Sequence, residues 1–200
     1  VNVASDKAFV NGPAAFMNVD GHAVEDVDLE VKSPAGWDLA TAMSKKEDGH
    51  LVASDYDEFV DHPIQLGKFT RQEFSVMGIP FEVIYVAPDN HANCNLDRET
   101  GRLKAVSGPA LKMFGGAAFK KYLYIVHLEI GNFSGGLEHR ACNVQAIANS
   151  SELNLDDLAA HEYFHAWNVK QIRPKILGPF DYRTPQRTAN LWFAEGVTDY

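Results

Sequence analysis

Residues His161-Glu162-Tyr163-Phe164-His165 set two imidazoles four positions apart, with a carboxylate directly after the first. On a helix such a pair projects from one face, so both rings can offer a nitrogen to one ion, a spacing suited to zinc. Glu162 is turned about 100° from His161 round a helix axis, beside such an ion rather than on it. From there a carboxylate can take a proton from an activated water and later pass it to a leaving amine. The same five residues also fall on ordinary surface helices, so a third ligand has to be found.

Glu195, in "WFAEGVTDY", is the candidate. A catalytic zinc commonly keeps three protein ligands and an open position, and His, His and Glu form one known set. Glu195 follows Trp192 and Phe193 and precedes Gly196, unusual company for the solvated face of an amphipathic helix, which is the alternative reading. Asp199 lies one turn further on, where a carboxylate can accept the free ring N–H of a liganding histidine and fix its tautomer.

The elements that must hold these residues follow from local pattern. Asn154 is placed to cap a helix over "LDDLAAHEYFHAWNVK", with Asp156 and Asp157 in its first turn, as free N–H groups and the helix dipole favour. Arg173-Pro174 ends that helix, and Ala160, Phe164 and Trp167 are expected to face the core. Upstream, "ACNVQAIANS" and "KKYLYIVHLEI" read as strands, "GNFSGGLEHR" as a loop or strand edge, and about Leu96 to Lys120 as a helical stretch broken by Gly and Pro. The first ninety residues read as β: "AAFMNVDG", "DVDLEVKSP" and "HLVASDYDEFV" are short strand-like stretches between turn residues, and "RQEFSVMGIPFEVIYVAP" is a hairpin turning near Gly78.

Composition bounds the rest. With 46% hydrophobic residues in 200, the chain can bury a core. A net charge of −9 argues against a nucleic-acid partner. No apolar run reaches the roughly 20 residues of a membrane helix, and the first residues, without a basic start or a long apolar stretch, are not expected to be a signal peptide. Cys94 and Cys142 leave one disulfide or two free thiols open. His62 beside Pro63 is expected to shape a turn, His91 to lie in a linker and His127 in a strand. No nucleophile elbow, phosphate loop or dinucleotide fingerprint is present.

"HEYFHAWNVKQIRP", "WFAEG" and "GGLEHR" together resemble the glycyl aminopeptidase family of bacterial zinc metallopeptidases, within the gluzincin class. "FVDHPIQLG" and "FEVIYVAP" are similar to the β domain preceding its catalytic domain, and Gln171 stands where a basic residue is expected. The resemblance implies an α+β fold: a β-rich N-terminal domain over 1–90, incomplete at its start, then the first part of a thermolysin-like zinc peptidase domain over 91–200. It implies one Zn2+ per chain held by His161, His165 and Glu195, with Glu162 as general base. It also implies that Glu138 holds the free amino terminus of a peptide whose backbone approaches Gly135 and Gly136, since two glycines admit a close backbone and a carboxylate selects an ammonium.

The function expected is a zinc-dependent aminopeptidase acting on peptides with small first residues such as Gly or Ala. The rival expectations are a zinc endopeptidase with the same site and a non-catalytic peptidase-like binding module. The chain is expected to be soluble, in bacterial cytoplasm or periplasm, with nothing to set its oligomeric state. It reads as part of a longer protein, ending before the tyrosine or histidine that related enzymes use to stabilise the intermediate, so alone it is expected to be poorly active.

Overall fold

The structure is a computed structural model describing residues 1–200. The chain divides into two compact units, Val1–Lys68 and Phe69–Tyr200. The first holds strands β1 (Asn2–Val3), β2 (Lys7–Val10), β3 (Val27–Leu29), β4 (Asp38–Ala40), β5 (Ser44–Lys45), β6 (Leu51–Ala53) and β7 (Ile64–Gly67), with one short helix, α1 (Tyr56–Val60). Two small sheets result, ordered β1-β2-β7-β4 and β3-β6-β5. Met43, Leu51, Tyr56, Phe59, Val60 and Ile64 lie at the centre of the unit's core.

Two expectations fail in this unit. "AAFMNVDG" carries no strand; Pro13 opens a 3-10 turn over Gly12–Ala14, and the chain beyond is irregular as far as a turn at Gly21. "HLVASDYDEFV" is a strand only over Leu51–Ala53, and then a helix. Asp55 caps α1 by accepting from the Glu58 N–H at 2.6 Å, and Tyr56, Phe59 and Val60, spaced i, i+3, i+4, all turn inward.

The second unit is built on a five-stranded sheet ordered β11-β12-β10-β9-β8. Its strands are β8 (Thr70–Val76), β9 (Ile79–Val86), β10 (Tyr122–Glu129), β11 (Ser134–Glu138) and β12 (Cys142–Ala148). β8 and β9 form a hairpin through Met77 and Gly78, both at positive φ, as a tight two-residue turn demands. β9, β10 and β12 run parallel, and helix α2 (Leu96–Met113) supplies the crossover from β9 to β10. Burial on both faces explains why "FEVIYV" and "YLYIV" read as nearly unbroken apolar runs. The architecture is α+β, as expected.

The expected division at 90/91 differs from the observed one. The β8–β9 hairpin hydrogen-bonds into the second unit's sheet, because β9 pairs in parallel with β10 some forty residues later. Helix α3 (Asp156–Phe164) lies over β11 and β12 and against α2, while α4 (Leu191–Asp199) packs on α3. Between them the chain is largely irregular, with one 3-10 turn over Lys175–Leu177. Both cysteines are free.

Phe81 sits at the centre of an aromatic cluster with Phe74, Phe119, Tyr122, Tyr124 and Tyr163, at centroid distances of 5.0 to 6.3 Å. Phe81→Ala is therefore expected to cost about 3–5 kcal/mol of stability. Urea denaturation checks this; a loss below about 1 kcal/mol would show that the cluster does not organise the unit.

Candidate metal centre

Helix α3 begins one residue later than expected, with Leu155 at its N-cap position. The Asn154 side chain accepts from the Asp156 N–H at 2.9 Å and also from the Arg102 guanidinium at 3.0 Å, with Asp156 and Asp157 in the first turn. The inward side differs from expectation. Ala160 is exposed, and Leu155, Ala159, Tyr163, Ala166 and Trp167 are buried. Tyr163 decides the rotation: its ring packs edge-on against Tyr122 at 4.8 Å, anchoring the helix to the sheet. That rotation carries Glu162 inward as well, toward β11, leaving it 5% exposed.

His161 and His165 meet at the same end of the helix, with their Nε2 atoms 3.0 Å apart. The other nitrogen of each ring is committed. His161 Nδ1 donates to the Asp199 carboxylate at 2.6 Å, and His165 Nδ1 donates to the Asn168 carbonyl at 2.7 Å. Both partners only accept, so each neutral ring carries its hydrogen on Nδ1 and presents a bare lone pair at Nε2. Glu195 Oε2 stands 3.3 Å from one Nε2 and 3.4 Å from the other.

Two ring nitrogens and a carboxylate oxygen thus converge, an arrangement that either a shared proton or a metal cation would satisfy, and two imidazoles with one carboxylate form a donor set suited to zinc. A second grouping, Glu138, Glu162 and His165, also has its ligand atoms within 4.8 Å of one another. It competes for the same His165 nitrogen and offers two carboxylates with one imidazole, a harder and less zinc-like set.

Glu162 is seated by a glycine. A Cβ on Gly136 would lie 2.3 Å from the Glu162 Oε1 atom and 2.4 Å from its Cδ, so the carboxylate occupies the space a side chain would fill. At Gly135 the nearest atom to such a Cβ is in the Phe133 ring, at 3.3 Å. Burial raises the Glu162 carboxyl from its ordinary value of 4.5 to about 7; the nearby Glu138 and Glu195 carboxylates add to the rise and His161 opposes it. β11, which carries Gly135, Gly136 and Glu138, is the edge strand of the sheet and pairs only with β12.

The structure therefore brings together His161, Glu162, His165, Glu195, Asp199, Glu138 and Gly136, from two helices and one strand. Sequence reading missed Asn168, whose carbonyl receives His165, and the steric reason for Gly136. It also missed Asn143 and Gln145, buried on β12 opposite Glu138 and Gly136 and joined by a 3.0 Å amide hydrogen bond. Two polar residues alternating within an apolar strand were the available signal. His62, by contrast, hydrogen-bonds the Glu58 carbonyl in a turn, as expected.

Two models of one peptidase family match the chain. Residues 1–68 match the Peptidase M61 N-terminal domain, and residues 154–200 match M61 glycyl aminopeptidase. The chain belongs to the M61 glycyl aminopeptidase family. The first match ends with the first compact unit, and the second holds both histidines, Glu162, Glu195 and Asp199.

Among solved structures, an aminopeptidase N family protein from Idiomarina loihiensis is similar over 96% of this chain, with a TM-score of 0.88 and 28% identity. This chain spans 36% of that protein's length. An M1 zinc metallopeptidase from Deinococcus radiodurans matches 82% of this chain and 40% of its own, with 13% identity and a TM-score of 0.45. A two-domain M1 zinc metallopeptidase mutant bound to L-tryptophan matches 84% of this chain and 40% of its own, with 14% identity and a TM-score of 0.47. No curated protein sequence matches.

Glu162 makes stability depend on pH in the metal-free protein. Its folded carboxyl holds its proton more tightly than the unfolded one, so its contribution is full below about pH 4.5 and is lost as pH rises through about 7. Denaturation midpoints of metal-free wild type and Glu162→Gln across that window check the sign. The wild type is expected to weaken relative to the variant as pH rises, and parallel curves would show that burial does not perturb Glu162.

Proposed function

We propose that the chain forms the zinc-binding part of an aminopeptidase that removes small first residues, such as Gly or Ala, from peptides. The observation that carries this reading is the convergence of His161 Nε2, His165 Nε2 and Glu195 Oε2 with both Nδ1 atoms already engaged. Bound there, Zn2+ supplies Lewis acidity, polarising a peptide carbonyl and acidifying water. Asp199 and the Asn168 carbonyl hold the two imidazoles in the liganding tautomer.

Glu162 is the general base. Its carboxylate is buried beside the histidines, which supports a role in taking a proton from water and returning it to the leaving amine. The free edge of β11, which carries Gly135 and Gly136, suits an extended peptide lying along it.

Glu138 receives the substrate's α-ammonium. In an N-terminal residue that nitrogen is about 2.5 Å from the scissile carbonyl carbon, so a carboxylate binding it must lie close to the reacting centre. The Glu138 carboxylate meets this condition, within 4.8 Å of donor atoms of both Glu162 and His165. An internal peptide bond has no such charge to offer.

Metal analysis and paired peptide assays on the full-length protein test the reading. About one zinc per chain is expected, lost or much weakened in His161→Ala and Glu195→Gln. Glu162→Gln should retain zinc while losing about 10²–10⁴ in kcat. Wild type should cleave free peptides far faster than N-acetylated ones, and Glu138→Gln should raise KM for the free peptides and erase most of the difference. Equal cleavage of free and blocked peptides by wild type would favour an endopeptidase. Zinc uptake without any hydrolysis would favour a binding module.

A further inference from the structure

We infer that Asn168 is the positioning residue that fixes Glu195 against the histidine pair, its side chain strapping α4 to the turn that follows α3. The inference rests on the metal reading above and goes beyond it, because Asn168 is not itself a ligand.

The connection between the two helices is long and largely irregular. It runs through residues 173–190 with a single 3-10 turn and no strand. Within these 200 residues Ala194 is the single buried residue of α4, so what α3 and the turn after it offer that helix is mainly a set of directional contacts.

Asn168 supplies them. Its side-chain amide donates to the Ala194 carbonyl and to Thr198 Oγ1, both at 3.2 Å, across 26 and 30 residues of sequence. Thr198 Oγ1 also donates to the Ala194 carbonyl at 2.5 Å, closing the group. Each of these α4 residues immediately precedes a functional one: Ala194 precedes Glu195, and Thr198 precedes Asp199. At its other end the Asn168 carbonyl accepts from the His165 ring Nδ1. One residue, 4% exposed, is therefore bonded to a proposed ligand on one helix and to the neighbours of two more groups on the other.

The alternative is that Asn168 merely satisfies a buried carbonyl and adds to stability. The two roles separate because the backbone carbonyl survives any substitution, so variants remove only the strap. Asn168→Asp is nearly isosteric but replaces the amide donor with an acceptor; Asn168→Ala removes the group.

The experiment measures Zn2+ affinity of the full-length protein by chelator competition. Alongside it, the Tm of the metal-free protein and the visible spectrum of the Co2+-loaded protein are recorded. Both variants are expected to bind Zn2+ about 10–100-fold more weakly than wild type. Their Co2+ spectra should shift toward that of Glu195→Gln, with the metal-free Tm changing little. Zinc affinity within twofold of wild type, with an unaltered Co2+ spectrum, would overturn the inference and leave the zinc site standing. A lowered metal-free Tm with unchanged affinity would assign Asn168 a structural role only and overturn it too. If wild type took up no metal, the zinc reading itself would fail, and this inference with it.

Discussion

Everything at the site depends on how the two histidines spend their Nδ1 hydrogens. An imidazole free to rotate or exchange tautomers is an indifferent donor; one whose Nδ1–H is held by an acceptor presents a directed lone pair. Here one acceptor is the Asp199 carboxylate and the other is a backbone carbonyl, at 2.6 and 2.7 Å. The carbonyl is set by the fold of the chain just past His165, where the helix tightens and the Asn168 N–H still bonds the Phe164 carbonyl. Backbone geometry at a helix end thus becomes the chemistry of a ring nitrogen four bonds away.

The sheet contributes in a different manner. Tyr163 commits α3 to one rotation by packing among Tyr122, Tyr124, Phe119 and Trp167. The next residue back, Glu162, is then forced against β11, where a side chain would collide with it and glycine does not. Burial raises the proton affinity of that carboxyl, and of the two histidines His165 is buried as well while His161 is partly exposed. A single aromatic anchor therefore sets both the metal-facing and the proton-handling sides of the helix.

Much of this was legible in sequence because it is local. The His-x-x-x-His spacing, the Asn154 start with its acidic first turn and the glutamate of "WFAEG" are patterns within a few residues, and the structure brings those groups to one place. The α+β class was legible from strand-like runs alternating with one long helical stretch. What failed was non-local or close to a tie. The division at Lys68 depends on β9 pairing with β10, which no short window records. The inward face of α3 turned on whether Ala159 and Tyr163 or Ala160 and Phe164 faced the sheet, and both sets have helical spacing. α1 lies within a strand-like stretch, and the Asp55 cap is what marks it as a helix. Asn168 looked like any polar residue past a helix, since its partners lie 26 and 30 residues away.

The sparse burial of α4 also bears on the order in which the site assembles. The sheet and α3 are joined by aromatic contacts that exclude water, whereas the later helix contributes one buried alanine and a few polar links. Regions held so lightly open at low free energy, ahead of the core. Within these 200 residues, His161, Glu162 and His165 are therefore tied to the sheet through aromatic packing, whereas Glu195 and Asp199 are joined to them chiefly by polar links from Asn168 and His161.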